Sequence, residues 1–248
     1  MGRRLLEVDP PTPEAAQLWQ ALADLAEAIG DAGDWCLIGG LMVHLHAVEH
    51  RGESRSTMDI DLLGNARTRP SMTERLASTL KGLGAAMAMP SVTSPQTGYI
   101  FELDGAVVEV LGSEGLEKDP NTIGAFTTIQ VAGSNQALRR AELVALSVSG
   151  GDPVSIRVPS LLGAILLKAR AMHAAPRKLA EHRQDLIRLL SFVVDPRELA
   201  ASGGITGNEK GWLSKVKPEL GWDDPDLTAL FSRDALANAR QAYVLLCQ

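Results

Sequence analysis

Two aspartates separated by one residue, in the segment MDIDLL at 58–63, constrain this chain more than any other feature. The alternation of apolar and acidic residues predicts a β-strand. Side chains two residues apart on a strand point to the same face, so Asp59 and Asp61 are expected to lie side by side. Like charges placed in this way repel each other and raise a pKa unless a cation lies between them. Because Mg²⁺ prefers carboxylate oxygens, the pair predicts a metal site; the alternative is a chance pair on an exposed strand edge.

A pair of glycines that precedes these acids in the sequence adds a second element. WCLIGG at 35–40 predicts a buried strand that ends at Gly39 and Gly40, and the segment at 41–50 predicts a helix. Backbone N–H groups at the start of such a helix can bind phosphate without interference from side chains. The glycines alone also fit an ordinary strand-to-helix turn. Combined with RSTMDID at 55–61, they predict phosphate donors and metal carboxylates on successive strands.

The other elements predict a mixed α/β fold. We expect a mixed sheet within a first domain over residues 1–158, followed by a helical C-terminal region over residues 159–248. In the first domain we predict a helix that Thr12 caps and that runs through Ile29, and a helix through Leu83 that Ser71 and Glu74 open with a capping box. A hairpin at 99–111 turns at Asp104-Gly105, and β-rich pieces within 125–158 are joined by a polar connection at 133–142. The C-terminal region is predicted to contain helices at 160–175, 177–193, 225–232 and 234–247, with a break at 195–222.

Composition excludes several classes of protein. The chain has 248 residues, of which 45% are hydrophobic, enough for a substantial core. No apolar run approaches the roughly 20 residues of a membrane span and no signal peptide opens the chain, so we expect a cytoplasmic protein without a membrane partner. The two cysteines, Cys36 and Cys247, are too few for a disulfide framework or a cysteine-based metal site.

Charge is unevenly distributed along the chain. The formal net charge of −6 argues against a protein that coats nucleic acid in general. A local basic cluster nevertheless stands out, formed by Lys168, Arg170, Arg177, Lys178, Arg183 and Arg188. This cluster favours contact with RNA phosphates, although Arg177 and Arg183 equally fit a solvated helix face.

Three segments together resemble a known family. They are IGG at 38–40, RSTMDIDLL at 55–63 and LLKARAMHAAPRKLAEHRQDLIRLL at 166–190. The chain resembles the DNA polymerase β-like nucleotidyltransferase superfamily and, within it, the AbiEii/MenT-type toxins of bacterial toxin–antitoxin systems. The resemblance covers most of residues 35–190.

The resemblance implies roles for individual residues. Gly39 and Gly40 would hold a triphosphate, which the segment Arg55, Ser56 and Thr57 would contact, while Asp59 and Asp61 would bind Mg²⁺. A third carboxylate is expected from the hairpin, where Glu109 is the candidate and Glu102 the reserve. Many relatives carry aspartate there, and a glutamate that simply faces solvent is the alternative.

Two further residues follow from the helical motif. Lys168 would bind the nucleotide phosphates, and Asp185 on the next helix would be a partner of the site. Lys168 lies between apolar residues, so the alternative is a lysine whose ammonium group reaches the surface.

The activity implied by the resemblance is transfer of a nucleoside monophosphate from an NTP to an acceptor hydroxyl, with release of pyrophosphate. The leading acceptor is the 3′ end of tRNA, with growth inhibition as the consequence and a cognate antitoxin protein as a partner. Two alternatives remain: a nucleotidyltransferase that modifies a protein side chain or a small molecule such as an aminoglycoside, and a catalytically silent member of a toxin–antitoxin pair.

Histidines and tryptophans carry less information. His46 and His50 share a helix face, but the sequence shows no third ligand, so zinc is not expected. Trp35, Trp212 and Trp222 are expected to be packing residues and not platforms for base stacking, because aromatic residues make up only 4% of the chain and do not alternate with the basic cluster.

Overall fold

Nine strands and eleven α-helices occur in residues 4–30 and 33–248, the part of the chain that the computed structural model describes. The strands are β1 Arg4–Val8, β2 Trp35–Ile38, β3 Asp59–Gly64, β4 Ala86–Met87, β5 Ile100–Leu103, β6 Ala106–Ser113, β7 Gln130–Val131, β8 Ala141–Val148 and β9 Val154–Pro159. The helices are α1 Pro13–Ile29, α2 Gly39–Glu49, α3 Met72–Gly82, α4 Ser134–Arg139, α5 Leu161–Ala174, α6 Leu179–Ser191, α7 Pro196–Gly203, α8 Gly207–Lys215, α9 Lys217–Leu220, α10 Pro225–Leu230 and α11 Arg233–Cys247. A short 3-10 helix, Pro176–Lys178, joins α5 to α6.

The strands form two mixed sheets. The larger sheet has the order β2-β3-β6-β5-β4, with β7 paired to the end of β6. Within it β3 and β6 are parallel, whereas β2 pairs with β3 and β5 pairs with β6 in the antiparallel direction. The smaller sheet has the order β1-β8-β9. Strands in both directions and many helices confirm the predicted mixed α/β class.

Local rules explain the elements that carry the candidate site. Thr12 caps α1 by accepting a hydrogen bond from the Ala15 N–H. The antiparallel hairpin of β5 and β6 turns at Asp104 and Gly105, whose φ angles of 48° and 81° are those of the predicted tight turn. β2 is buried along its whole length, and the chain turns directly from it into α2 at Gly39.

After β9 the described chain is helical. Apolar residues of α5 and α6, among them Leu166 and Leu190, are fully buried and belong to the same core as the sheet residues Leu37 and Val110. α5 packs against α6, and both helices contact α2, which follows directly from β2. No helix in residues 4–30 or 33–248 has both the length and the apolar character of a membrane span.

Three local predictions are wrong. The backbone of Ser71 is not extended and its side chain makes no capping hydrogen bond to α3, so the expected capping box with Glu74 does not form. The polar connection at 133–142 contains α4 and the first residues of β8. The expected break at 195–222 contains α7, α8 and α9, which Asp195 and Thr206 help to cap. In the last two cases polar and glycine-rich composition concealed short helices.

Trp35 and Trp212 both pack against other residues, but in different surroundings. Trp35 is buried in β2, as expected. Trp212, on α8, packs beneath the guanidinium of Arg170, whose Cζ is 5.6 Å from the ring centroid. Two basic residues of the cluster contact aromatic rings, Arg170 on Trp212 and Arg188 on Phe231.

Candidate active site

The pairing of β3 with β6 brings three carboxylates together. In this parallel pair Asp61 lies opposite Glu109, and Asp59 lies one step along the same face. One carboxylate oxygen from each of Asp59, Asp61 and Glu109 lies within 4.8 Å of the others. We call these three residues the acidic cluster. Glu102, on β5, is exposed and lies outside it.

The electrostatics of the acidic cluster favour a cation. Burial, followed by the neighbouring Glu109 and Asp59 carboxylates, raises the pKa of Asp61 to about 7. The pKa of Glu109 is also raised, first by burial and then by Asp59, against the opposing effect of Lys178. Oxygen ligands held this close, with a penalty on their charged forms, fit a hard divalent cation such as Mg²⁺.

The start of α2 lies against the acidic cluster. No side chain caps this helix, since its N-cap residue is Ile38, so its first N–H groups are available to an anion. Gly39 has a φ of 75°, and a Cβ added there would overlap the Asp61 carboxylate. A Cβ on Gly40 would come within 2.7 Å of the Thr57 Cβ. Close approach of β3 and its preceding loop thus requires glycine at both positions.

Gly39→Ala provides a prediction that arises from this contact. The new methyl group must displace the Asp61 carboxylate, and alanine disfavours the positive φ, so we expect a loss of about 1–3 kcal/mol in the free energy of unfolding. Mg²⁺ should then stabilise the variant less than it stabilises the wild type. Thermal denaturation with and without Mg²⁺ measures both effects. Gly82→Ala is the control, because a Cβ there has open space. Equal Mg²⁺ effects in the wild type and Gly39→Ala would contradict the interpretation.

The segment before β3 supplies groups of different kinds. The Thr57 hydroxyl donates a hydrogen bond to Oδ1 of Asp59, which helps to orient that carboxylate. Ser56 is exposed. Arg55 turns toward α6, where its Nε and Nη2 lie 3.0 Å and 3.3 Å from the two carboxylate oxygens of Asp185.

Asp185 binds two cationic side chains. Besides Arg55, it accepts a hydrogen bond from Lys168 Nζ at 2.8 Å, and both Lys168 and Asp185 are buried. Burial alone would raise the pKa of Asp185, but Lys168 and Arg55 together bring it below its ordinary value. The alternative of a surface-reaching lysine is therefore wrong. Asp185 holds Lys168 and Arg55 in place where both line the cavity.

A cavity of about 350 Å³ joins these groups. Its polar lining includes the acidic cluster, Gly39, Gly40, Arg55 and Lys168. Apolar residues also line it, namely Leu111, Ile129, Val131, Leu167, Ala171 and Ala174. Residues from both sides of position 158 line this cavity, so it lies between the expected domain and the expected helical region.

Several further polar residues line the cavity, among them Lys178 and His182, which the sequence did not assign to it. Lys178, from the 3-10 turn, has its ammonium 4.0 Å from Oδ2 of Asp59. Burial would lower the pKa of Lys178, but Glu109, Asp59 and Asp61 raise it. Burial, then Lys168, lowers the pKa of His182 to about 4. The basic cluster contained a signal for Lys178, but only the fold shows that it faces the acids.

The basic cluster does not form one continuous surface. Arg183 pairs with Asp224 at 2.8 Å, and Arg188 lies over the Phe231 ring at 4.1 Å. Lys168 and Lys178 face the cavity. Arg177 is exposed. Spacing along two helices therefore directs the residues of the basic cluster to different contacts.

Comparisons with known proteins give little further information. No protein-family model matches this chain, and no curated protein matches it. Among solved structures it is similar to a crystal structure of ANT(2")-Ia in complex with adenylyl-2"-tobramycin, with a TM-score of 0.45 and 14% sequence identity. That similarity covers 75% of this chain and 94% of the other. It assigns no role to any residue.

Proposed function

We propose that this protein is a Mg²⁺-dependent nucleotidyltransferase of the kind found among AbiEii/MenT-type toxins, with a nucleotidyltransferase domain over residues 1–158 and a helical region over residues 159–248. The observation that carries the proposal is the convergence of four features on one cavity. These are the acidic cluster, an uncapped helix start, two cationic side chains held by Asp185, and apolar lining residues.

Each feature matches one part of a nucleoside triphosphate. The N–H groups at the start of α2 suit phosphate oxygens, as do the charges of Lys168 and Arg55. The apolar residues that line the same cavity suit the flat face of a base. A nucleoside triphosphate, with its charged phosphates and its apolar base, therefore matches both kinds of lining residue.

Asp59, Asp61 and Glu109 would hold Mg²⁺, which when bound neutralises charge that develops on the phosphate oxygens. In the reaction, the acceptor oxygen forms a bond to the α-phosphorus while the bond from that phosphorus to the pyrophosphate oxygen breaks. The proton of the acceptor hydroxyl passes to a carboxylate, and Glu109 is our candidate for it. Lys168 and Arg55 hold the departing pyrophosphate.

For the acceptor, the resemblance favours the 3′ end of tRNA. A toxin acting in this way would block the use of tRNA in translation, and a cognate antitoxin protein would be its partner. NTPs and tRNA meet in the cytoplasm, which is the compartment that we propose.

A second candidate is transfer to a small polyhydroxylated molecule such as an aminoglycoside. It is favoured by the division of the basic cluster, because Arg183 and Arg188 are occupied by contacts within the chain. The net charge of −6 also favours a small cationic acceptor over RNA.

A transfer assay tests the proposal and separates these acceptors. The protein is incubated with Mg²⁺ and each labelled NTP in turn, together with total tRNA, the same tRNA after periodate oxidation of its 3′ end, or an aminoglycoside. Label on intact tRNA alone supports the first candidate, and label on the aminoglycoside supports the second. Absence of label on any hydroxyl acceptor, with NTP bound, would support a silent binding protein instead.

Lys178→Gln is expected to reduce transfer about two- to fivefold, because the ammonium of Lys178 is half exposed and an exposed charge pair contributes only up to about 1 kcal/mol. Its ammonium lies beside Asp59 and lines the cavity. The matched control is Arg177→Gln, which removes a neighbouring exposed charge. Initial rates for both variants decide the point. A larger loss of transfer rate to tRNA in Arg177→Gln than in Lys178→Gln would contradict this prediction. It would show that the exposed charge of Arg177 matters more for RNA binding than Lys178 does for transfer.

A further inference from the structure

A second group of possible metal ligands lies at the end of α2 that is remote from the glycines. His46, Glu49 and His50 occupy positions i, i+3 and i+4, which place three side chains on one helix face. One ligand atom from each lies within 4.8 Å of the others. Glu49 supplies the third ligand, which the sequence alone did not show.

The ring of His46 is fixed in a form that leaves one nitrogen free. The side chain is 2% exposed, and its Nε2 lies 3.0 Å from the Pro159 carbonyl oxygen. Since a carbonyl oxygen only accepts, Nε2 carries the proton and donates it, and the lone pair resides on Nδ1. Burial lowers the pKa of His46 to about 4, so the ring is neutral at physiological pH.

Nδ1 of His46 is a buried acceptor that lacks a hydrogen-bond partner within residues 4–30 and 33–248. Such atoms are rare and call for an explanation. It lies 4.0 Å from Oε2 of Glu49. A histidine that binds a metal through one nitrogen characteristically donates its other N–H to a backbone carbonyl, as His46 does to Pro159.

The other two ligands are held in place from outside the group. Arg4 Nε contacts Oε1 of Glu49 at 3.0 Å, which leaves Oε2 directed toward His46. His50 stacks on Phe192 with ring centroids 5.3 Å apart and an interplanar angle of 10°. His50 is exposed, so an ion can enter from its side.

We propose that His46 Nδ1, Glu49 Oε2 and His50 bind a divalent transition-metal ion of the Zn²⁺ class, with water as the fourth ligand. Two imidazoles and one carboxylate suit Zn²⁺, whereas Mg²⁺ prefers oxygen ligands alone. The ion would fix the C-terminal turn of α2, whose histidines contact Pro159 at the β9–α5 junction and Phe192 after α6. The site is separate from the acidic cluster and does not depend on the proposed activity.

Zinc binding is tested on full-length protein freed of metal by chelation and kept in excess Mg²⁺, which occupies the acidic cluster. With ZnCl₂ at about 100 times its Kd, we expect one bound ion per chain and a rise in Tm of roughly 5 °C or more. Glu49→Gln and His50→Gln should each weaken zinc binding at least about tenfold. Glu49→Gln is nearly isosteric, so it keeps the test valid if His50→Gln folds poorly.

Two controls identify the site. His173→Gln removes an exposed histidine on α5, and Asp61→Asn alters the acidic cluster; zinc affinity should survive both. Co²⁺ gives an independent readout, because a four-coordinate site with nitrogen ligands absorbs visible light much more strongly than a six-coordinate oxygen site. The proposal is overturned if zinc fails to bind, if Glu49→Gln and His50→Gln bind it normally, or if Asp61→Asn alone abolishes binding.

Discussion

Asp61→Asn is expected to reduce nucleotide transfer by at least about 100-fold, because even residues that only orient a metal ligand change activity or affinity by about 10–100-fold when lost. Asp61 is the member of the acidic cluster that lies directly opposite Glu109 and against Gly39. Its removal leaves two carboxylates for the ion and breaks the oxygen set that Mg²⁺ requires.

The same variant should fold at least as well as the wild type in the absence of Mg²⁺. Asp61 repels Glu109 and Asp59, and its raised pKa of about 7 reflects burial and that repulsion. Removing the charge relieves both penalties. We therefore expect an unchanged or higher Tm without Mg²⁺, and a smaller rise in Tm than the wild type shows when Mg²⁺ is added.

Glu102→Gln is the matched control for this experiment. It neutralises an exposed acid on the neighbouring strand β5, outside the acidic cluster, so activity and Mg²⁺ response should remain those of the wild type. Labelled-NTP assays and thermal denaturation of the three proteins supply the comparison. Undiminished transfer by Asp61→Asn would contradict the assignment of Asp61 as a Mg²⁺ ligand.

Short-range rules accounted for the elements around the acidic cluster. The alternation in MDIDLL predicted β3, the glycines at 39–40 predicted the turn into α2, and Asp104-Gly105 predicted the hairpin. Each of these signals lies within a few residues of the structure that it specifies. The contact of Gly39 with Asp61 is also a consequence of this local design, because β2 and β3 are neighbours in the sheet.

Contacts between elements that are distant in the chain determine which of the candidate residues lie in the site. Glu109 and Glu102 are equivalent as acids on a hairpin, and only the parallel register of β3 with β6 places Glu109 opposite Asp61. Lys178 faces Asp59 because a 3-10 turn ends α5 beside the sheet. The sequence did not predict β1, because this strand is stabilised by pairing with β8, which is far away in the chain.

The largest effect on stability is expected from Asp185→Asn. This change leaves the buried ammonium of Lys168 without its negative partner at 2.8 Å and removes the charge that Arg55 contacts. Loss of one member of a buried ion pair costs about 3–5 kcal/mol, which corresponds to a fall in Tm of roughly 6–20 °C for a chain of this size. Adding Lys168→Met should recover part of this loss, since it removes the unpaired charge.

The effect of Asp185→Asn should also depend on pH in a defined direction. Because the pKa of Asp185 is lowered in the folded protein, its stabilising contribution is complete above the unfolded pKa of about 4 and is lost as the pH falls through the folded value. The difference in stability between wild type and variant should therefore be constant near neutral pH and shrink in acid. Asp223→Asn is the control, because it removes an exposed partner of Arg240. The stability of this variant should equal that of the wild type at every pH. Denaturant unfolding across this pH range measures the difference. If the wild-type advantage persisted undiminished well below pH 4, the ionised carboxylate would not be its source.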